Sequence, residues 1–379
     1  MLKKVINKDG QEIYVCDLTQ IKKEDAPYNI LMSGRSDGKS FAVLEEILNN
    51  KLKYDQEGAI IRRWDTDFKR GRAAKMWTNL VHEGKLEGTE WDSIQFKSGA
   101  WYLTKFDKKT RTYVYDKDPL CHAMAMSDIE HSKSTSYPKV TTVLFDEFIP
   151  MGSYYPNEFV TFMNILSTII RKYRRDVKIY MCANTITNDS IYFKEMGLKR
   201  VDKLEPGTIQ VYKYGESDMK VALEIMPPVP NTDETNSSYY FAFDNPQLAM
   251  IRGEGFQLAM YPHLPTWCNI KPKDIRKIFF IWYNDEIIQG ELCYLDNNIR
   301  FLYFHKKTTP IQDEDVDIIY SDDPDPRRNW RINIFNPTDK LGKVINEFFK
   351  RDKVFYQDNE VGENVNNYLK FCRSYSIIK

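Results

Sequence analysis

A short apolar run, Tyr28-Asn-Ile-Leu-Met-Ser33, stops at the loop Gly-Arg-Ser-Asp-Gly-Lys-Ser40, and a helical pattern follows from Lys39 to about Leu52. Strand, glycine loop and helix in that order call for a buried strand whose loop emerges at the edge of an α/β sheet. Ser33 to Ser40 fits G-x-x-x-x-G-K-[ST], with Ser33 at the first glycine position. Backbone N–H groups along Ser33, Gly34, Arg35, Ser36, Asp37 and Gly38 can wrap phosphate oxygens there, and the helix N-terminus adds positive potential. Lys39 would then reach the β and γ phosphates of a bound nucleotide, and Ser40 would hold Mg2+. The bland alternative for this loop alone is a Gly/Ser turn with a surface lysine.

A second element answers the first. Val143-Leu-Phe-Asp146-Glu147 reads as a buried strand ending in two adjacent acids. The first carboxylate organises Mg2+ and the second can take a proton from the attacking water. Many strands end in an acid at a solvent edge, so the pair gains its meaning from the upstream loop. Asn184, at the tip of the strand Val177–Ala183, is placed to sense a γ phosphate or to cap the next turn. Arg171-Lys-Tyr-Arg-Arg175 closes a helix, which is either a dipole-favoured cap or an arginine finger offered to a neighbour's nucleotide. Arg62, Arg63, Lys69, Arg70 and Arg72 form a further basic group, read as a solvated face or as phosphate contacts.

The remaining pattern is consistent with this core. Gly58–Arg63 and Val140–Phe145 read as buried strands, and helices are predicted near Phe68–His82 and Asn157–Lys172. The segments SIQF, WYLTKF and RTYVYD read as a small antiparallel insertion. Strands separated by helices predict a doubly wound sheet. A Pro-rich, polar stretch over Pro227–Ser238 reads as a loop or domain edge, and Lys277–Phe304 reads as a strand meander. Asp313–Asp325 carries seven acids and no base, read as a solvated loop or a docking surface. Helices near Lys340–Arg351 and Asn364–Arg373 complete a small α+β domain. The expected division is 1–228 for the ATPase domain, 229–265 for a linker and 266–379 for the C-terminal domain.

Composition closes off other classes. With 379 residues, 42% hydrophobic and 14% aromatic, the chain has enough apolar material for cores, and two domains suit its length. No run nears the roughly 18 apolar residues of a membrane span, and the charged start lacks a signal peptide's apolar stretch. The six cysteines show no C-x-x-C pair and read as free buried thiols. Lys plus Arg number 54 against 54 Asp plus Glu, which argues against a uniformly basic coat while leaving room for a few placed cations.

Tyr137-Pro-Lys-Val-Thr-Thr-Val-Leu-Phe-Asp-Glu-Phe-Ile149 is similar to a block of the DNA-packaging motor ATPases of small protein-primed podophages. The chain resembles that family also in its P-loop, in Ile60-Ile-Arg-Arg63, in Lys133-Ser134, in Pro156-Asn-Glu158 and in the Arg171 cluster. The resemblance implies an ASCE-type P-loop ATPase fold with an RNase H-like C-terminal domain that has lost nuclease activity. It implies Lys39 and Ser40 on phosphate and metal, Asp146 on Mg2+, Glu147 as base, Arg171 acting in trans and Lys133 near a subunit boundary. Ser33 departs from the family's glycine. Asp65 stands where the family has a DNA-gripping lysine, which moves the DNA-contact expectation to Lys69, Arg70 and Arg72. As partners the resemblance implies double-stranded DNA, a homo-oligomeric ring, a prohead portal and a structural packaging RNA. It also implies action in the cytoplasm of an infected bacterium, with the protein absent from the mature virion. Acids of the meander, Asp285, Glu286, Glu291 and Asp296, fall mostly in predicted turns, a poor arrangement for a nuclease metal site. The competing readings are a P-loop helicase or other translocase, a non-hydrolysing nucleotide-binding assembly protein, and a nucleic-acid scaffold with a degenerate P-loop.

Overall fold

A computed structural model describes the chain except residues 7–9, 11, 35–36, 70, 132–135, 151–153, 156, 172–173, 185–189, 202–203, 228–260, 284–285 and 378–379, and side chains at 129–131, 297 and 374–377. Arg35, Ser36, Arg70, Lys133, Asp285 and most of the expected linker lie outside the described residues. The chain divides into two compact units: Met1–Ile149 with Glu158–Asn188 and Arg200–Gln257, and Pro150–Asn157 with Asp189–Lys199 and Leu258–Lys379.

In the first unit a hairpin of β1 (Leu2–Ile6) and β2 (Glu12–Cys16) precedes a short helix α1 (Thr19–Lys23). The sheet strands follow: β3 (Tyr28–Ser33), β4 (Glu57–Arg62), β5 (Ser93–Lys97), β6 (Ala100–Asp107), β7 (Thr112–Tyr115), β8 (Cys121–Ala125), β9 (Val140–Asp146), β10 (Lys178–Asn184), β11 (Thr208–Lys213) and β12 (Lys220–Ile225). Helices α2 (Lys39–Tyr54), α3 (Arg72–Lys75), α4 (Thr78–His82) and α5 (Glu158–Ile169) join them. The strand order is β11-β12-β3-β10-β9-β4-β8-β6-β5, with β7 paired to β6. From β12 to β8 every pairing is parallel. The acid-tipped strand β9 is therefore separated from the P-loop strand β3 by β10, the arrangement of ASCE-type P-loop ATPases.

Burial explains the strands. β9 is buried along its whole length, as a parallel strand covered on both faces must be. Helix α2 lays Val43, Leu44, Ile47 and Leu48 on the sheet, each close to fully buried and contributing about 1.5–3 kcal/mol. Gly58 lets α2 approach β4, because a Cβ there would fall 2.5 Å from Ile47 Cγ2. A single helix over Phe68–His82 does not form. Asp65–Phe68 is a 3-10 turn, Gly71 takes a φ of 77°, and two short helices follow. Trp101 Nε1 donates to the Ala73 carbonyl at 2.7 Å, so tertiary packing fixes α3.

The second unit holds a six-stranded sheet. The antiparallel strands Ile275–Tyr283, Glu286–Tyr294 and Arg300–Lys306 form its centre. Ile319–Ser321 runs parallel to the first of these, and Trp330–Arg331 runs parallel to Ile319–Ser321. Val354–Tyr356 pairs parallel to the third. Helices Lys340–Lys350 and Asn359–Ile377 contribute Ile345, Val365, Tyr368 and Leu369 to a core with Phe279, Ile281 and Phe304. Segment 189–199 clusters here through Lys194, which pairs with Asp322 and lies 5.6 Å from the Tyr283 ring. The acidic run is largely committed within the fold: besides Asp322, the side chains of Glu314, Asp315 and Asp325 surround Arg327. Among the described residues no group of three or more His, Cys, Asp or Glu is placed to hold a metal ion. Nor is any described helix long and apolar enough to cross a membrane.

Candidate active site

Parallel strands deliver their C-terminal tips to one edge. The register sets Asn184 beside Ser33 and Cys182 beside Asp146, so β3, β9 and β10 present their ends together. The P-loop leaves that edge and enters α2 at Gly38, whose φ of 77° favours glycine. Ser33 is the last residue of β3 in extended conformation, so the missing first glycine needs no left-handed backbone. The β1–β2 hairpin braces the loop: Cys16 N donates to the Asp37 carbonyl at 3.0 Å.

Lys39 is 6% exposed and its ammonium folds back onto the loop. It donates to Ser33 Oγ at 2.7 Å, to the Gly34 carbonyl at 2.8 Å and to Asn184 Oδ1 at 3.4 Å. Burial lowers its pKa from lysine's ordinary value, while neighbouring Cys182 and Asp37 oppose the shift. Burial likewise raises the Asp37 carboxyl, whose Oδ2 has no hydrogen-bond partner among the described residues. A pocket of about 360 Å³ opens over Gly38, Lys39, Ser40, Asp146, Glu147 and Asn184.

Ser40 Oγ donates to Asp146 Oδ1 at 2.6 Å. These two hard oxygens, side by side under a polar pocket, are the donor type Mg2+ takes together with phosphate oxygens and water. The residues fit that ion, and Ser40 and Asp146 would hold it. Glu147 follows at a φ of 57°, which turns its side chain out of the strand, and it is 65% exposed.

Two arginines complete the site, and the sequence had left them in an undivided basic group. Strand β4 pairs with β9 through Ile61 and Phe145, so Arg62 emerges beside Asp146. Arg62 donates to Asp146 Oδ2 at 2.5 Å and to Glu147 Oε2 at 2.8 Å. Its Nε is buried without a partner among the described residues. Arg63 turns inward: it forks onto Glu158 at 2.8 and 2.6 Å and donates to the carbonyls of Phe148, at 2.5 Å, and Glu147. The backbone after Asp146 is thereby tied to the start of α5. The signal in sequence was Ile60-Ile-Arg-Arg63 itself, which required the strand order to be read.

The other expected residues lie apart. Arg171 is half-buried just after α5. Arg174 holds the Tyr137 and Val140 carbonyls at 3.0 and 2.6 Å, and Arg175 pairs with Asp218 at 3.3 Å, so the cluster is divided among tasks. Lys69 pairs with Asp65, and Arg72 lies 3.9 Å from Asp67 and donates to the Thr66 carbonyl at 3.3 Å.

The family described as Podovirus DNA encapsidation protein (Gp16) matches residues 14–204, half of the chain. A DNA packaging protein of Bacillus phage B103 is 26% identical over 182 residues, which is 46% of this chain and 49% of that protein. The DNA packaging protein of Bacillus phage phi29 is 26% identical over 172 residues, 45% of this chain and 46% of that protein. The chain thus spans about half the length of the curated relatives it matches. In fold the likeness runs further: the bacteriophage Phi-29 viral genome packaging motor assembly aligns with a TM-score of 0.55 at 18% identity, over 95% of this chain and 99% of that one. The Phi-28 gp11 DNA packaging motor aligns at 0.52 and 18%, over 94% and 97%. The chain belongs to the podovirus DNA encapsidation protein (Gp16) family.

Proposed function

We propose that this chain is the ATPase of a motor that drives double-stranded viral DNA into a preformed prohead. The observation that carries the reading is the contact of Ser40 with Asp146 beneath a pocket that also receives Lys39 and borders Glu147. Mg2+, when bound, supplies charge neutralisation at the phosphate oxygens. On binding ATP, Lys39 exchanges the oxygens of Ser33 and Gly34 for the β and γ phosphates. Glu147 takes the proton of the attacking water, and Asn184 at the neighbouring tip orients the γ phosphate. Arg62 holds Glu147 by its carboxylate, so the base works fully only when that pair opens. Arg63 keeps the turn that aims Glu147.

The reading extends to a homo-oligomeric ring, with Arg171 supplied to a neighbour's nucleotide and Lys133 near the subunit boundary. Lys69, Arg70 and Arg72 remain the DNA-contact candidates in the sequence that follows β4. For the C-terminal unit we propose an RNase H-like sheet without nuclease activity. Its three-stranded antiparallel meander followed by parallel strands beside the first supports that topology. Glu291 is occupied by Gln289 and His305, and Glu286 by Lys306 and Asn364, which supports a structural role for these acids. A portal and a structural RNA are its proposed partners, and the infected bacterium its proposed place of action.

The test is a pair of substitutions read by nucleotide binding and by phosphate release. Lys39→Ala is expected to lose ATP binding. Glu147→Gln is expected to bind ATP as wild type does and to release no phosphate. Hydrolysis by Glu147→Gln at the wild-type rate contradicts the assignment.

A further inference from the structure

We propose that the β6–β7 hairpin is a second contact for the phosphate backbone of duplex DNA, entering the major groove as a two-stranded ribbon. Strand β7 pairs with β6 alone, at the end of the sheet farthest in strand order from the P-loop strand's outer neighbours. Its turn carries Lys108, Lys109, Thr110 and Arg111, with Lys105 on the strand before it. All four cations are exposed, and none of their side chains makes an ion pair or hydrogen bond among the described residues. Lys69 and Arg72 differ in this respect, since each already has an acidic neighbour.

The tip is ordered before any partner arrives. Asp107 accepts from Lys109 N at 2.8 Å and from Thr110 Oγ1 at 3.0 Å, and the hydroxyls of Thr110 and Thr112 lie 2.8 Å apart. Arg111 holds a φ of 54°. The acid of the tip is engaged by a backbone amide and a hydroxyl, and one carboxylate against four cations leaves the hairpin strongly net positive. A preordered turn loses less conformational freedom on binding.

The chemistry favours nucleic acid over an acidic protein surface. Phe106 and Tyr113 form a ring pair 5.3 Å apart on one face, and Val114 lies opposite Lys105 on the other. Three exposed apolar side chains split between two faces fall short of the roughly 800 Å² per partner that a stable protein interface buries. The major groove, about 12 Å wide, admits a two-stranded β-ribbon, and the flanking phosphates meet cations at either side. The inference rests on the translocase reading only for the choice of polyanion.

The experiment uses the full chain without nucleotide and a 30-base-pair duplex of random sequence, titrated across a salt series. The quadruple variant Lys105→Gln, Lys108→Gln, Lys109→Gln and Arg111→Asn removes the charges, with Asn chosen to tolerate the positive φ. Each lost phosphate contact lowers the slope of log affinity against log salt by about 1. The expected result is a slope shallower by about 4 and an affinity at least about tenfold lower at 0.1 M salt. Unchanged slope and affinity overturn the proposal. Polyglutamate is the second probe, and an equal loss of polyglutamate and duplex binding overturns the duplex assignment in favour of an acidic protein surface. Should the variant melt early, a photocrosslinker on Lys109→Cys reads proximity directly: crosslinks to duplex support the contact, and their absence overturns it. Because binding is measured without ATP, failure of the hydrolysis reading leaves this outcome legible.

Discussion

Arg62 Nη1 donates to Glu147 Oε2 at 2.8 Å while the same guanidinium holds Asp146, so one cation from β4 spans both acids at the tip of β9. The residue read as metal ligand and the residue read as base are thus tied to a single neighbour strand. An exposed Glu147 limits the strength of the pair to about 0.5–1 kcal/mol.

That contact predicts a restraint on the base. Arg62→Ala is expected to raise DNA-independent phosphate release by about two- to fivefold, and so to shrink the stimulation by DNA. Phosphate release with and without duplex checks it. A uniform loss in both conditions would assign Arg62 to alignment of Asp146 instead.

Arg63 predicts a stability effect. Its fork with Glu158 is buried on both sides, at 8% and 0% side-chain exposure. Arg63→Ala removes that buried fork from Glu158 and the donors to the Glu147 and Phe148 carbonyls, and is expected to cost about 3–5 kcal/mol in denaturant unfolding. Adding Glu158→Leu should recover part of that loss, since the buried carboxylate that faced Arg63 goes with it. A loss below 1 kcal/mol, or no recovery in the double variant, speaks against a buried clamp.

The legibility of the sequence divides along the same line. Lys39, Ser40, Asp146, Glu147 and Asn184 were readable because each sits at the end of its own apolar strand or at the start of the following helix, a local pattern. Arg62 and Arg63 were not, because their partners lie 84–95 residues away and depend on β4 pairing with β9. Strand β8, Cys121-His-Ala-Met-Ala125, escaped because it lacks β-branched residues and is held by pairing with β4. The hairpin β1–β2 escaped as well, its first strand having been weighed only against a signal peptide. In the C-terminal unit the meander was plain from its aromatic alternation, whereas Ile319–Ser321 and Trp330–Arg331 are too short to declare themselves.

The trans role of Arg171 predicts complementation. Arg171→Ala and Glu147→Gln subunits, each inactive alone, should regain some ATPase activity when mixed, because one interface then holds both intact groups. No regain at any mixing ratio contradicts a trans arginine.

A pH dependence follows in the C-terminal unit. The hydrogen bond from His305 to Glu291 raises the imidazole pKa, against the opposing effects of burial and of Lys307. A folded pKa above the unfolded value gives a stabilisation fully present below the unfolded pKa, near 6.5, and lost as pH rises through the folded pKa. Urea unfolding of the wild type should therefore show a stability decline as pH rises above about 6.5 that His305→Gln lacks. Identical pH profiles would remove the pair from the account.

The most direct measurement is phosphate release by the purified chain with ATP, Mg2+, duplex DNA and proheads, run beside Glu147→Gln. The account predicts hydrolysis that rises when DNA and proheads are both present and is absent from the variant. Turnover indifferent to DNA and proheads, or equal in Glu147→Gln, would contradict it.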